Sequence, residues 1–255
     1  MLALRTILIL LASVQLSLAQ AQTMEALETA KSPFSNIQFV KIPGGCFQMG
    51  TDKGFKFEVP KHEVCVDSFF LATHETTQRQ WDLLMEENRS RFKGDERPVE
   101  RVSWNDAKEF IRRLNEKENT DRYRLPTEAE WERAARAGGD TRFFWGEEMS
   151  EDFCWYFGNS DYQTHPVGQK RPNPWGLYDM AGNVWEWTED WYDFGWYKKS
   201  PKDNPKGPPS GVFKVRRGGS QANLISHIQA HTRYRSKPDK RHYIFGFRIA
   251  FSDAP

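Results

Sequence analysis

From Gly139 onward, short aromatic segments alternate with turns rich in Gly, Pro, Asn and Asp, and no repeat or low-complexity tract interrupts them. Such punctuation confines regular structure to short pieces. Aromatic residues make up 14% of the chain, with 10 Trp and 18 Phe; so many large rigid rings argue against disorder and for a fold built around aromatic packing. Three helices are expected earlier in the chain. Thr77 and Gln80 form a capping box ahead of Trp81, Leu84 and Met85. Ser103 or Asn105 caps a second helix with a core face of Ala107, Phe110, Ile111 and Leu114. Thr127 and Glu130 box a third, with Trp131, Ala134 and Ala135 inward and Gly138-Gly139 at its end. Few helices, many short strands and abundant loops describe an irregular, loop-rich α+β single domain.

The 255 residues carry 36 Lys+Arg against 35 Asp+Glu, too even a balance for an obligate nucleic-acid binder. No stretch reaches the ~18 apolar residues of a spanning helix, so no integral membrane association is expected. Arg5, the apolar run from Ile7 to Val14, and small residues at Ser17, Ala19 and Ala21 have the layout of a secretory signal peptide over 1–21. A polar leader is expected over 22–36 and the domain proper over 37–255. The expected location is therefore exported, periplasmic or secreted, where thiols oxidise. Cys46 and Cys65 each sit on the face of an alternating segment opposite its apolar neighbours, Phe47 and Met49 or Val64 and Val66. Two antiparallel strands would bring them together in a disulfide worth roughly 3 kcal/mol, with Cys154 as the odd thiol; the sequence by itself leaves other pairings open.

One stretch is unusual: Asn173-Pro174-Trp175-Gly176-Leu177-Tyr178-Asp179-Met180-Ala181-Gly182-Asn183-Val184-Trp185-Glu186-Trp187-Thr188. It resembles the sulfatase-modifying-factor, or formylglycine-generating-enzyme, family. Further matching segments occur in the family's order: Ile42-Pro43-Gly44-Gly45 with Met49-Gly50, His74-Glu75-Thr76-Thr77, Arg97-Pro98-Val99 with Val102-Ser103-Trp104, Arg124-Leu125-Pro126-Thr127-Glu128-Ala129-Glu130-Trp131-Glu132, Arg217-Gly218-Gly219-Ser220, and Gly246-Phe247-Arg248. The resemblance covers about residues 37 to 252 and implies one compact domain of the C-type-lectin-like fold, poor in regular structure.

Asp179 and Glu186 are hard oxygen donors, and Gly182 and Val184 can offer backbone carbonyls between them, a plausible calcium loop. Relatives bind a structural calcium at this motif, so the resemblance implies Ca2+ at Asp179, Gly182, Val184 and Glu186. The alternative is that the two carboxylates cap turns and pair with arginines. A second family calcium site would fall near 155–160, where Cys154-Trp155-Tyr156-Phe157-Gly158-Asn159 offers poor ligands.

Formylglycine-generating enzymes hold copper on two cysteines just after Gly-Gly-Ser, soft ligands suited to Cu(I). Counting from Ser220 puts Asn223 at the first of these positions, and counting back from Arg235 puts His231 at the second; the segment contains no cysteine. Direct sulfatase activation is therefore not expected, and the catalytic residues are unknown. His227 and His231 could replace the pair as metal ligands if helical, or be ordinary polar histidines of an irregular segment.

Arg233, Arg235, Arg241 and Arg248 could recognise an anionic or peptide substrate, or satisfy loop carbonyls and carboxylates. Trp185, Trp187, Trp191 and Trp196 could line a cleft, although Trp185 and Trp187 read as core. Asn88-Arg89-Ser90 is a glycosylation acceptor by pattern only. The sequence has no Gly-rich phosphate loop, nucleophile elbow or zinc-type cysteine set. Two functions follow: an exported maturation or accessory factor acting on a periplasmic protein or peptide-like client, possessing an oxidoreductase-type activity or none, or a non-catalytic lectin-like module binding a protein, peptide or glycan.

Overall fold

The computed structural model describes residues 27–252; the expected signal peptide (1–21), the first residues of the expected leader and residues 253–255 lie outside them. Three sheets carry the fold. The largest is five-stranded, in the order β1 (Thr29–Lys31), β2 (Gln38–Ile42), β5 (Phe69–Ala72), β11 (Ala250–Ser252), β6 (Tyr123–Arg124), all antiparallel. It brings the first and last described strands into one sheet, and its rings pack together: Phe251 stacks on Phe70 at 4.5 Å and meets Phe39 edge-on at 5.0 Å. The leader was expected to be loose through residue 36, but β1 lies inside it. Ser32 Oγ also donates to Glu118 Oε1, at 2.5 Å, and tethers the turn that follows.

The three helices fall where their caps place them, all with reciprocal capping boxes. The first, α1 (Gln78–Asp82), starts at Thr77 but is shorter than the apolar stripe suggested; Leu84 and Met85 lie beyond it, in a turn returning to the Trp81 carbonyl. Trp81 donates its indole N–H to the Glu87 carbonyl and stacks on Phe110 at 5.6 Å, so the stripe still reaches the core without continuing the helix. For α2 (Trp104–Lys117) the cap is Ser103, not Asn105, with Asp106 closing the box and Ala107, Phe110, Ile111 and Leu114 buried. The third, α3 (Glu128–Arg136), is capped by Thr127 and Glu130 and stops where Ala137 and Gly138 turn left-handed, the conformation that favours glycine.

A four-stranded sheet, in the order β10 (Phe245–Gly246), β7 (Trp185–Trp191), β8 (Lys214–Arg217), β9 (Arg233–Ser236), packs against α3. The third sheet is the ribbon of β3 (Gly45–Met49) and β4 (His62–Val66), where Cys46 and Cys65 face each other and are bonded, as expected. Val64 and Val66 are buried on the other face. Cys154 is a free thiol with no exposed surface, and burial pushes its pKa up to about 12. A thiol reagent should therefore find no reactive thiol in the native protein and one in guanidine without reductant; fast native labelling would contradict this burial.

Candidate functional site

The motifs that run through the sequence meet inside the domain as buried ion pairs. Glu128 and Glu132, one turn apart on α3, face the second sheet. Arg233 donates to both Glu128 oxygens at 2.6 and 2.7 Å, and Arg217 reaches Glu132 at 2.6 Å and Glu128 at 3.3 Å. Burial opposes ionisation of Glu132, but Arg136 and Arg217 hold its carboxyl below the ordinary value. Glu186 is gripped through both oxygens by Arg248, at 2.6 and 2.7 Å, and accepts the Trp131 indole N–H at 2.7 Å. Arg241 pairs with Asp106, and Arg235 lies over the Tyr192 ring. Three of the four C-terminal arginines thus serve carboxylates of this chain. With so few long strands and helices, these pairs tie the loops to the core.

The predicted calcium ligands sit beside one of them. Asp179 Oδ2 accepts the Gly168 N–H at 2.7 Å, while Oδ1 is buried without a hydrogen-bond partner. Glu75, from a quoted motif that had been given no role, is also fully buried, and its Oε1 has no partner. Burial raises the Asp179 carboxyl to about 6, and burial with the charges of Asp179 and Glu186 raises Glu75 well above its usual range. Among the described residues no group of three His, Cys, Asp or Glu side chains is arranged to hold a metal. The residues do fit a hard cation in one respect: Asp179 keeps a free buried oxygen. Glu186 would have to share oxygens that already serve Arg248 and Trp131.

The segment following Gly218-Gly219 is irregular, as the resemblance implied. Gly219 has φ +75°, and a Cβ there would meet the His227 carbonyl oxygen at 2.5 Å, so only glycine lets the loop fold back this closely. Asn223, at the first cysteine position, accepts from the Trp185 indole at 2.7 Å and Ser220 Oγ at 2.6 Å. The two histidines have different surroundings. His227 ends a single 3-10 turn and borders Phe55 and Tyr234. His231, at the second cysteine position, is buried beside Glu58 at 3.9 Å and lines a cavity of about 460 Å3 with Lys61, Arg136 and Arg142. Burial lowers its pKa to about 4, so it is neutral at pH 7.

Around His227 lies a surface that the sequence reading missed. The ribbon's connection, 50–61, carries Phe55 and Phe57 to this segment. Phe55 stacks on Phe57 at 5.4 Å, and Phe57 meets Phe194 and Tyr234 edge-on at 6.4 and 6.2 Å. Phe55, Phe194, Leu224 and Tyr234 are 48%, 55%, 58% and 43% exposed. Trp185, buried beneath, lies 5.7 Å from Tyr234. The one hint in sequence was a pair of phenylalanines in an otherwise largely polar, Gly-containing connection. Trp185 and Trp187 are core, as read; Trp191 and Trp196 are partly exposed but do not join this surface.

The architecture defines a class: a loop-rich α+β domain of the C-type-lectin-like, formylglycine-generating-enzyme-like kind. It superposes on Treponema denticola variable protein 1 and on PvdO from Pseudomonas aeruginosa, each with a TM-score of 0.80, at 29% and 27% identity, covering 90% of this chain and 100% of theirs. Residues 23–252 match the sulfatase-modifying factor enzyme 1-like domain, and the chain belongs to that family. Similar curated proteins include the serine/threonine-protein kinase pkn1 of Chlamydia pneumoniae, 33% identical over 84% of this chain and 38% of that protein. The formylglycine-generating enzyme of Streptomyces coelicolor is 38% identical over 60% and 52%. The chaperone protein LppX of Paenibacillus barcinonensis is 29% identical over 83% and 88%. The chain thus spans about two fifths of the kinase-named relative.

Proposed function

We propose that this chain is an exported accessory or maturation factor that holds a protein or peptide-like client on the aromatic surface of Phe55, Phe57, Phe194 and Tyr234. The observation that carries the reading is the coincidence of two things. Exposed rings cluster beside Asn223 and His227, in the segment where the resemblance places the cysteine pair of formylglycine-generating relatives, and that segment holds no thiol. Clustered exposed rings on a folded domain mark a contact surface, and Tyr and Phe anchors carry much of a peptide's binding energy. Likeness to a protein named a chaperone supports an accessory role, and the Cys46–Cys65 bond suits an oxidising compartment. Kinase activity is not carried over from the pkn1 relatives, since the match covers only 38% of the Chlamydia pneumoniae protein.

The test is binding of a library of aromatic-rich dodecapeptides by fluorescence polarisation. Phe55→Ser and Tyr234→Ser should each weaken the best binder about tenfold, a loss of about 1.4 kcal/mol, without moving the melting temperature by more than a few degrees. Equal affinity in both variants removes the surface from the proposal, and tighter binding of oligosaccharides than of any peptide turns it into a glycan-binding module. A cysteine-containing peptide incubated with Cu(I) and oxygen should yield no aldehyde by mass spectrometry; aldehyde formation would reinstate the oxidase reading.

We also propose a structural calcium ion at the 179–186 loop, with Asp179 as its principal carboxylate and the carbonyls of Gly182 and Val184 and the carboxylate of Glu186 as partners. Without it, Asp179 folds with its pKa raised from 3.8 to about 6, so its contribution to stability falls as pH rises from about 4 to about 6. Calcium should offset that loss, raising the melting temperature more at pH 7 than at pH 5. Asp179→Asn should abolish most of the calcium shift; an unchanged shift would place the ion elsewhere.

A further inference from the structure

Away from the aromatic surface, the loops 87–101 and 241–243 enclose an open basin of about 770 Å3 lined by Glu87, Arg89, Arg91, Arg101, Arg241, His242 and Tyr243. Its charge is one-sided. Arg89 pairs with Glu87 and Arg241 with Asp106. Among the described residues, no ion pair is formed by Arg91 or Arg101. Glu100, next to Arg101 in the chain, is buried and turned toward the backbone N–H groups of Arg91 and Phe92, the second at 2.8 Å; burial raises its pKa to about 7. Four guanidinium groups therefore face the paired carboxylates of Glu87 and Asp106 and a buried Glu100 on which Arg101 acts, so the basin is net positive.

A second, independent feature lies behind the wall. Arg216 on β8 is 3% exposed and, among the described residues, forms no ion pair. Its Nη2 donates to the Arg235 carbonyl at 3.1 Å, but Nε and Nη1 have no hydrogen-bond partner. The guanidinium is caged by rings, 3.6 Å from the Phe245 centroid, and Phe245 in turn lies 5.4 Å from the His242 ring. His242 Nδ1 is itself buried and without a partner. The charged groups acting on His242 are Arg216 from β8, Lys240 and Arg101, all cationic. An unpaired buried guanidinium is costly, and a wall of one sign concentrates counter-ions at the surface in front of it.

We infer that this basin binds a compact dianionic oxyanion of the phosphate or sulfate type, held by Arg91, Arg101 and His242. Guanidinium forks suit such oxygens, and a net positive basin suits a dianion. The volume exceeds what one inorganic ion fills, so the ion could arrive free or as an ester on a larger molecule; both are the same recognition chemistry.

Calorimetric titration at low salt with inorganic phosphate, inorganic sulfate and a phosphorylated monosaccharide would test this. One site per chain is expected, with affinity falling as sodium chloride is raised. Arg91→Gln and Arg101→Asn should each weaken binding at least tenfold; asparagine is chosen because residue 101 has φ +59°, a region it tolerates. Arg91→Lys should retain part of the affinity. The His242 ring resonances should titrate at higher pH with the anion present, because its charge offsets the surrounding cations. Equal affinity for the free ion and the ester would identify the small ion as ligand, and at least tenfold tighter binding of the ester would identify the ester. Absence of binding below about 10 mM for all three probes, or binding indifferent to both folded variants, would overturn the assignment. None of these outcomes depends on the peptide surface.

Discussion

Glu128→Gln is expected to destabilise the protein by about 3–5 kcal/mol, the scale for breaking a buried pair from one side. Arg233, with no exposed surface, loses the charge of its bidentate partner: the glutamine keeps one acceptor oxygen but turns an NH2 donor toward the guanidinium, leaving besides it the Phe57 and Asp193 carbonyls, at 3.2 and 3.4 Å. Arg217 is less affected because Glu132 still holds it at 2.6 Å. Asp190 supplies a partial remedy. Burial and the Glu128 charge raise its carboxyl well above the usual range, so removing that charge lets it ionise more readily. Denaturant unfolding should show the loss, and Glu109→Gln, which breaks surface pairs with Arg112 and Arg113, should cost less than about 1 kcal/mol. A Glu128→Gln loss as small as that of Glu109→Gln would mean that buried pairing does not hold these loops. Since Arg233 also bonds the Phe57 carbonyl, the variant should loosen the aromatic surface along with the core.

The second large effect concerns the ribbon. Replacing Cys46 and Cys65 together by serine removes a cross-link of separation 19 and should cost about 3 kcal/mol, lowering the melting temperature by roughly 6–12 °C for a domain of this size. The ribbon is two-stranded and pairs with neither larger sheet; besides the disulfide it is held by the buried Met49, Val64 and Val66 and by the hydrogen bonds of Cys65 with Lys202 and Asn204, so the cross-link is one of few restraints on it. Hydrogen exchange should accelerate over 50–61, and peptide binding at Phe55 and Phe57 should weaken with it. Unchanged exchange in that loop would show that the Arg233–Phe57 contact and β3–β4 pairing suffice.

Helix starts were legible because a cap is a local event. Thr77, Ser103 and Thr127 each bond a backbone N–H three residues on, and three residues of sequence contain the whole interaction. The end of α1 was not legible, since Trp81 reaching the Glu87 carbonyl and the Phe110 ring is a tertiary preference. The disulfide could be anticipated from strand alternation, because side-chain direction in a strand has period two. By contrast, β1 is a three-residue polar edge with no apolar pattern, and only β2 makes it a strand. The calcium expectation shows the same limit: the ligand types are local, but Arg248, 62 residues from Glu186, engages the same oxygens.

By itself, then, the sequence determined the family, the irregular α+β class, two of the three helix caps and the loss of the copper ligands. All of these rest on short-range bonding or on residue identity at recognisable motifs. It favoured the Cys46–Cys65 pairing and offered Ser103 or Asn105 for the remaining cap, both of which the structure decided. Only the tertiary structure decided which motif charges neutralise one another, that Phe55, Phe57, Phe194 and Tyr234 meet at one surface, and that Arg216 lies unpaired behind a basin of arginines. The physical reason is range. Burial, pairing and exposure depend on segments tens to hundreds of residues apart, and charge or aromaticity at a single position does not reveal which partner the fold will bring.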